Sequence, residues 1–319
     1  MNRVGSIRVS APGKLLLLGE YGVAFGGLGL AMAVDRRVEV RPARTESLDP
    51  DNLVDFCRSF AALRLGVEPP GLAWRADSSR LYEGEVKLGL GSSAAVAAAA
   101  VSSLLVELGR ERDSTSADWI WRLTLDAHRA IQGSSGSGID IAASLFGGVV
   151  GLAAGRLVNA CGLPPDLHLV PVWTGEAAST PALLGAVRAF AAAFPGPFDA
   201  LMSEAREVVE PFFAVQRSAE EWVAAARRYG GLMDRLGKAA SAGIVTPRIQ
   251  QLTTLAEDIG GAAKPSGAGG GDVVLGFFSE EDAAEEFRAA AQAVDAVSLD
   301  LAIESAGIRT ESGPDGRSA

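Results

Sequence analysis

Residues 92–108 read Ser-Ser-Ala-Ala-Val-Ala-Ala-Ala-Ala-Val-Ser-Ser-Leu-Leu-Val-Glu-Leu, and no other stretch limits the fold as tightly. Alanine loses no side-chain entropy in a helix and Gly109 supplies a stop, so a helix is expected here. Its side chains are small and apolar around most of the circumference, which places it inside a domain rather than on the surface. Such a helix needs neighbours on every side and therefore a large core. With 48% apolar and 21% charged residues among 319, the chain can build one and is too apolar to be disordered.

Alternating or β-branched runs over residues 6–10, 15–19, 28–34, 37–41 and 72–76 read as strands, with Ala11-Pro12-Gly13-Lys14 breaking the first two apart. Up to about residue 88 the pattern is otherwise mixed. Further helices are expected over 116–130, 139–145, 181–194, 197–216, 220–236, 247–259 and 280–294. Strands are expected over 149–153, 167–173, 273–278 and 299–304, and a frayed tail from 313. Pro164-Pro165 marks the best boundary, giving domains of residues 1–165 and 166–319. Strands and helices alternate without the regular period of a doubly wound sheet, so the class is α+β.

The formal charge, 29 − 39 = −10, argues against a nucleic-acid partner but not against an anionic small molecule in a local pocket. Cys57 and Cys161 stand apart without a CxxC pattern, which disfavours a disulfide or zinc framework. The first residues lack the apolar core of a secretion signal, and the run at 94–108 is interrupted by Ser102, Ser103 and Glu107. A cytoplasmic protein with no membrane partner is expected. His128 and His168 are too few for a metal site and read as structural or substrate-lining.

Three glycine-rich segments carry the chemistry. In Lys87-Leu88-Gly89-Leu90-Gly91-Ser92-Ser93-Ala94-Ala95 the serines open the buried helix, where unpaired N–H groups and the positive helix end suit phosphate. Neither a Walker loop nor a dinucleotide-binding Gly-x-Gly-x-x-Gly is present. Lys264-Pro265-Ser266-Gly267-Ala268-Gly269-Gly270-Gly271-Asp272 is too glycine-dense for an ordinary connector and reads as a loop packed on a ligand or on the first domain. In the third, Ala11–Tyr21, Lys14 offers a charge to a substrate anion or is a solvated turn lysine. Glu20 holds a lysine or an amide, or lies on the surface. Asp140 either complements a helix N-terminus or positions or deprotonates an attacking hydroxyl.

Pro12-Gly13-Lys14 with Gly19-Glu20-Tyr21, residues 89–95 and residues 264–271 resemble, in order and spacing, the three motifs of the GHMP small-molecule kinases. The resemblance spans nearly the whole chain. It implies a two-domain α+β fold: an N-terminal ribosomal-protein-S5-domain-2-like domain and a C-terminal ferredoxin-like domain, with the active site between them. It implies ATP and Mg²⁺ as cofactors. Lys87, Gly89, Leu90, Gly91, Ser92, Ser93 and Ala94 would wrap the ATP phosphates, Gly267, Ala268 and Gly269 would close over them, and Ser93, alone or with Ser92, would reach Mg²⁺. Lys14 and Asp140 would be catalytic. The substrate would meet Lys14, Glu20, Tyr21, Ser137, Gly138, Trp173, Ser179, Thr180, Lys264 and Ser266.

Within the superfamily, Ala127-His128…Gln132-Gly133, then Gly136-Ser137-Gly138-Ile139-Asp140, is similar to the phosphomevalonate kinases, as are Lys87, residues 264–272 and residues 172–180. Mevalonate kinases usually carry a metal-ligating glutamate about where His128 stands. This implies conversion of 5-phosphomevalonate to its diphosphate, an acceptor already anionic. The alternatives are mevalonate kinase or another small-molecule kinase of the superfamily, and a non-catalytic nucleotide-binding regulator. The partner is a small phosphorylated or carboxylated acid, and the protein a monomer or homodimer.

Overall fold

The computed structural model describes residues 7–43, 48–49, 51–69, 71–110, 117–133 and 136–312. The chain opens with β1 (Ile7–Leu18), the short α1 (Glu20–Ala24), β2 (Leu28–Pro42), α2 (Leu53–Arg64) and β3 (Trp74–Asp77). A ribbon of β4 (Tyr82–Glu83) and β5 (Val86–Lys87) leads to α3 (Ser92–Glu107), α4 (Ala117–Gln132) and α5 (Ile139–Phe146). The hairpin β6 (Val149–Ala153) and β7 (Arg156–Val158) closes this half. Its strands form an antiparallel sheet in the order β7-β6-β2-β1, with β3 also pairing β2.

The second half begins with β8 (His168–Trp173), followed by α6 (Thr180–Ala193), α7 (Pro195–Val209), α8 (Pro211–Ala214), α9 (Ala219–Ala239) and α10 (Pro247–Asp258). Then come β9 (Ala262–Pro265), β10 (Val273–Phe278), α11 (Glu281–Ala293), β11 (Val297–Ser298) and β12 (Arg309–Ser312). The second sheet runs β11-β8-β10-β9, again antiparallel. The chain then returns to the first sheet: Ile303 bridges Val34, and β12 pairs the outer edge of β1. Arg37 fastens this return, bonding the Ala306 and Gly307 carbonyls and pairing with Glu304 at 3.1 Å.

The alanine-rich α3 is buried along nearly its whole length, between β1 and β2 on one side and α2, α4 and α5 on the others. Small side chains let these elements approach closely, while buried Val101, Leu104 and Leu105 each contribute about 1.5–3 kcal/mol. The α+β class is as expected. Beneath α3, Arg58 is fully buried, stacked 4.1 Å from the Trp74 ring and bonded to Ser103 and Glu107.

Several local expectations change. Ala11-Pro12-Gly13-Lys14 does not break the chain: β1 runs straight through it, with a register shift between Pro12 and Gly13. A bulge admits a proline that regular strand pairing excludes. The runs at 28–34 and 37–41 are likewise one strand, β2. The mixed region hides α2, whose Asn52 side chain caps the Val54 amide. The helix expected over 197–216 splits before Pro211 into α7 and α8. Instead of a strand over 299–304 there is a single bridge at Ile303. Ser116 and the tail from 313 lie outside the described residues.

Candidate functional site

The three glycine-rich segments converge on one cavity between the two halves. Lys14 stands mid-strand on β1, its side chain almost wholly buried, and its amide donates to the Leu90 carbonyl at 2.9 Å. This ties the first loop to β1. Gly91 ends that loop in the left-handed region (φ 77°) and opens α3; a Cβ there would stand 3.0 Å from the Lys14 side chain. The glycine therefore lets the lysine pass under the helix start. The first helical bond of α3 runs from the Ala95 amide to Gly91, so the Ser92, Ser93 and Ala94 amides precede it.

Across the cavity, Gly138 (φ 89°) opens α5 and places Asp140 in its first turn. Asp140 Oδ2 lies 3.6 Å from Lys14 Nζ, with 39% of the Asp140 side chain exposed. Residues 134 and 135 of this loop lie outside the described residues. Ser137 and Gly138 line the cavity.

The Lys264–Asp272 segment is fastened onto the Ala11–Tyr21 segment. Leu16 donates its amide to Ser266 Oγ at 2.8 Å and accepts from it at 3.1 Å, and Tyr21 donates to the Ala268 carbonyl at 2.6 Å. Lys264 lies on β9, fully buried, bonded to Glu20 and to the Pro265 carbonyl. Burial pushes the Lys264 ammonium down and the Glu20 carboxyl up, each partner opposing the other's shift. Burial and the charge of Glu20 push the Tyr21 phenol well up.

Of the residues expected at the site, Lys14, Glu20, Tyr21, Gly89, Ala94, Ser137, Gly138, Asp140, Thr180, Ser266, Gly267 and Ala268 line this cavity. Others stand back from it. Lys264 is enclosed by Glu20 and the Tyr229 and Phe277 rings, so the structure gives it a tethering place instead of a substrate contact. Leu90 and Ser92 are buried. Trp173 lies at the end of β8 with its indole nitrogen buried. Ser179 is the exposed residue before α6, Gly269 packs against Ile244, and Lys87 is exposed on β5. Ser93 meets the wall through His128 Nε2, 3.2 Å from its hydroxyl.

His128, read from the sequence as structural or substrate-lining, does line the cavity, and so do two charged residues given no site role there, Asp272 and Arg188. Asp272 takes a left-handed conformation (φ 53°), packs against Gly89, and accepts the Ala178 amide at 3.3 Å. Burial pushes its carboxyl up, against the Ala178 amide and the charges of Lys14 and Lys87. Burial pushes the His128 imidazole down, with Asp140 opposing. Arg188 follows Thr180 and Leu184 at four-residue spacing on α6, a helical stripe that was readable in the sequence.

Among the described residues no helix is long and apolar enough to cross a membrane. Residues 58–148 match the GHMP kinases N terminal domain and residues 213–296 the GHMP kinases C terminal family. The phosphomevalonate kinase of Streptomyces sp. (strain CL190) is 28% identical, over 85% of this chain and 89% of that protein. The mevalonate kinase of Thermococcus sibiricus is 26% identical, over 86% and 90%. Streptococcus pneumoniae phosphomevalonate kinase, solved in complex with phosphomevalonate and AMPPNP, superimposes with a TM-score of 0.76 at 19% identity, over 93% and 99% of the two chains. With both family domains matched in order and the same fold throughout, the chain belongs to the GHMP kinases.

Proposed function

We propose that this kinase transfers the terminal phosphoryl group of ATP to 5-phosphomevalonate, giving the diphosphate, in the mevalonate route to isoprenoids. The Lys14–Asp140 pair carries the reading. The Asp140 carboxylate pairs with the Lys14 ammonium at 3.6 Å, an arrangement that orients the lysine toward phosphate charge. It suits an acceptor that is already anionic, such as a phosphate monoester, better than an alcohol that has to be deprotonated. The similarity to the Streptomyces enzyme supports the same acceptor.

In this reading the Ser92, Ser93 and Ala94 amides hold the nucleotide phosphates at the positive end of α3. Lys14 stabilises the charge passing from donor to acceptor, and Asp140 holds Lys14 in place. Arg188, which lines the same cavity, supplies a guanidinium for an anionic end of the substrate. Gly267 and Ala268 close the cavity from the second half. The hydroxyl of Ser93 and the carboxylates of Asp140 and Asp272 are hard oxygen donors of the kind Mg²⁺ takes. Among the described residues no three His, Cys, Asp or Glu side chains gather as a cage, so the ion would draw most of its ligands from nucleotide and water. When bound, it neutralises phosphate charge.

Coupled assays with 5-phosphomevalonate and mevalonate side by side test the reading. Turnover is expected with 5-phosphomevalonate and only background ADP release with mevalonate. The reverse pattern would make mevalonate the acceptor. Nucleotide binding with turnover of neither acid would mark a non-catalytic regulator.

A further inference from the structure

Ser93 occupies the first turn of α3, and His128 the last turns of α4, where it lines the cavity. His128 Nε2 and Ser93 Oγ are 3.2 Å apart, an alignment of two side chains from separate helices. The proposed function makes no use of His128.

We infer that His128 is a positioning residue for Ser93: its Nε2 accepts the Ser93 hydroxyl proton, leaving the oxygen's lone pairs directed at a divalent cation that arrives with the nucleotide. This rests on the phosphotransfer reading above. A hydroxyl has one proton and two lone pairs, so a hydroxyl that ligates a cation has to send its proton elsewhere. The usual recipient within a helix is a carbonyl one turn back. Ser103, on the same helix, does this, donating to the Ala100 carbonyl at 2.7 Å. Thr124 does the same toward Ile120 at 2.8 Å. Ser93 instead faces an imidazole nitrogen, and the Leu90 carbonyl three residues before it already accepts the Lys14 amide.

A neutral imidazole carries its single proton on one nitrogen, and the two tautomers give two different loops. With the proton on Nε2, the ring donates to Ser93 and the hydroxyl proton turns toward the cavity, where it suits a phosphate oxygen. With the proton on Nδ1, Nε2 is an acceptor and Ser93 offers lone pairs. Donors to phosphate are plentiful here, in the Ser92, Ser93 and Ala94 amides and in Lys14. Oxygen lone pairs for a cation come otherwise from the Asp140 and Asp272 carboxylates, which line the same cavity. The acceptor tautomer adds those of the Ser93 hydroxyl at the start of α3.

Two measurements test this. Long-range proton–nitrogen NMR correlation reads the tautomer directly, and because the chain has 2 histidines, a His168→Asn variant assigns the signals. The neutral His128 ring is expected to carry its proton on Nδ1; a proton on Nε2 would overturn the inference without any change to the site. The second measurement is the ADP affinity with and without Mg²⁺. The Mg²⁺ enhancement should fall about tenfold in both Ser93→Ala and His128→Phe, with no further fall in the double variant. His128→Gln, whose amide oxygen reaches the Nε2 position, should restore most of it. An undiminished enhancement in His128→Phe, additive losses, or no recovery in His128→Gln would overturn the role of His128 while the kinase reading stands. Absence of ADP binding to the unaltered protein would overturn both.

Discussion

Ser266 and Leu16 exchange two hydrogen bonds across the cleft: the Leu16 amide donates to Ser266 Oγ at 2.8 Å, and the hydroxyl donates back to the Leu16 carbonyl at 3.1 Å. β1 has a free edge at this point that the Lys264–Asp272 loop uses in place of another strand. The bonds sit two residues beyond Lys14, so the loop over the cavity and the strand carrying the lysine move as one. Ser266→Ala leaves a buried amide and carbonyl unpaired and should lower stability by about 1–3 kcal/mol in urea unfolding. An unchanged midpoint would mean that the two halves are held together elsewhere.

Lys14 and Asp140 are predicted to contribute unequally. Lys14→Met removes the charge proposed to stabilise the transferring phosphoryl group and should reduce kcat by about 10²–10³-fold. Asp140→Asn should cost more than about tenfold in turnover of 5-phosphomevalonate, roughly 1.4 kcal/mol of barrier. A smaller loss in the asparagine variant would remove the orienting role, and near-normal turnover in Lys14→Met would remove the lysine from the mechanism.

Glu20 and Lys264 are both fully enclosed, so removing one strands the charge of the other. Lys264→Met alone is expected to destabilise the fold by about 3–5 kcal/mol, and the Glu20→Gln, Lys264→Met pair to recover most of that. Equilibrium unfolding of the two single variants and the double variant gives the coupling. Additive losses would show that the two side chains stabilise independently.

Glu304 anchors the returning C-terminal segment. Burial pushes its carboxyl up, but the Ala306 amide and the charges of Arg309 and Arg37 outweigh this and hold it below the ordinary value of 4.5. A carboxyl depressed in the folded state contributes stability that is present above the unfolded value and lost as the pH falls through the folded one. Glu304→Gln should therefore weaken the protein at neutral pH and flatten the decline of its unfolding midpoint in acid. A parallel decline in both proteins would exclude Glu304 as a source of acid sensitivity.

Much of this was legible because it depends on local chemistry. The alanine-rich run of α3 permits few environments, and the helix begins where Gly91 and Ser92 say it should. What escaped depends on long-range pairing. Pro12-Gly13 looks like a turn because the bulge that accommodates it forms only against β2. α2 was obscured because Asp55 and Arg58 face inward, where Asp55 accepts the Trp74 amide at 2.9 Å and Arg58 stacks on the Trp74 ring. Lys264 read as a loop lysine near the ligand because nothing near it in sequence announces that Glu20 lies opposite. Arg188 reaches the cavity only through the placement of α6 against α7 and α9.

The central claim is that peptide nitrogens at the start of α3 and the ammonium of Lys14 hold the donor phosphates together. A crystal structure with a non-hydrolysable ATP analogue tests it most directly. The account predicts the analogue's phosphates against the amides of residues 92–94, with Lys14 Nζ in contact with the terminal phosphate. Phosphates seated elsewhere, or a lysine turned wholly to Asp140 with the nucleotide bound, would contradict it.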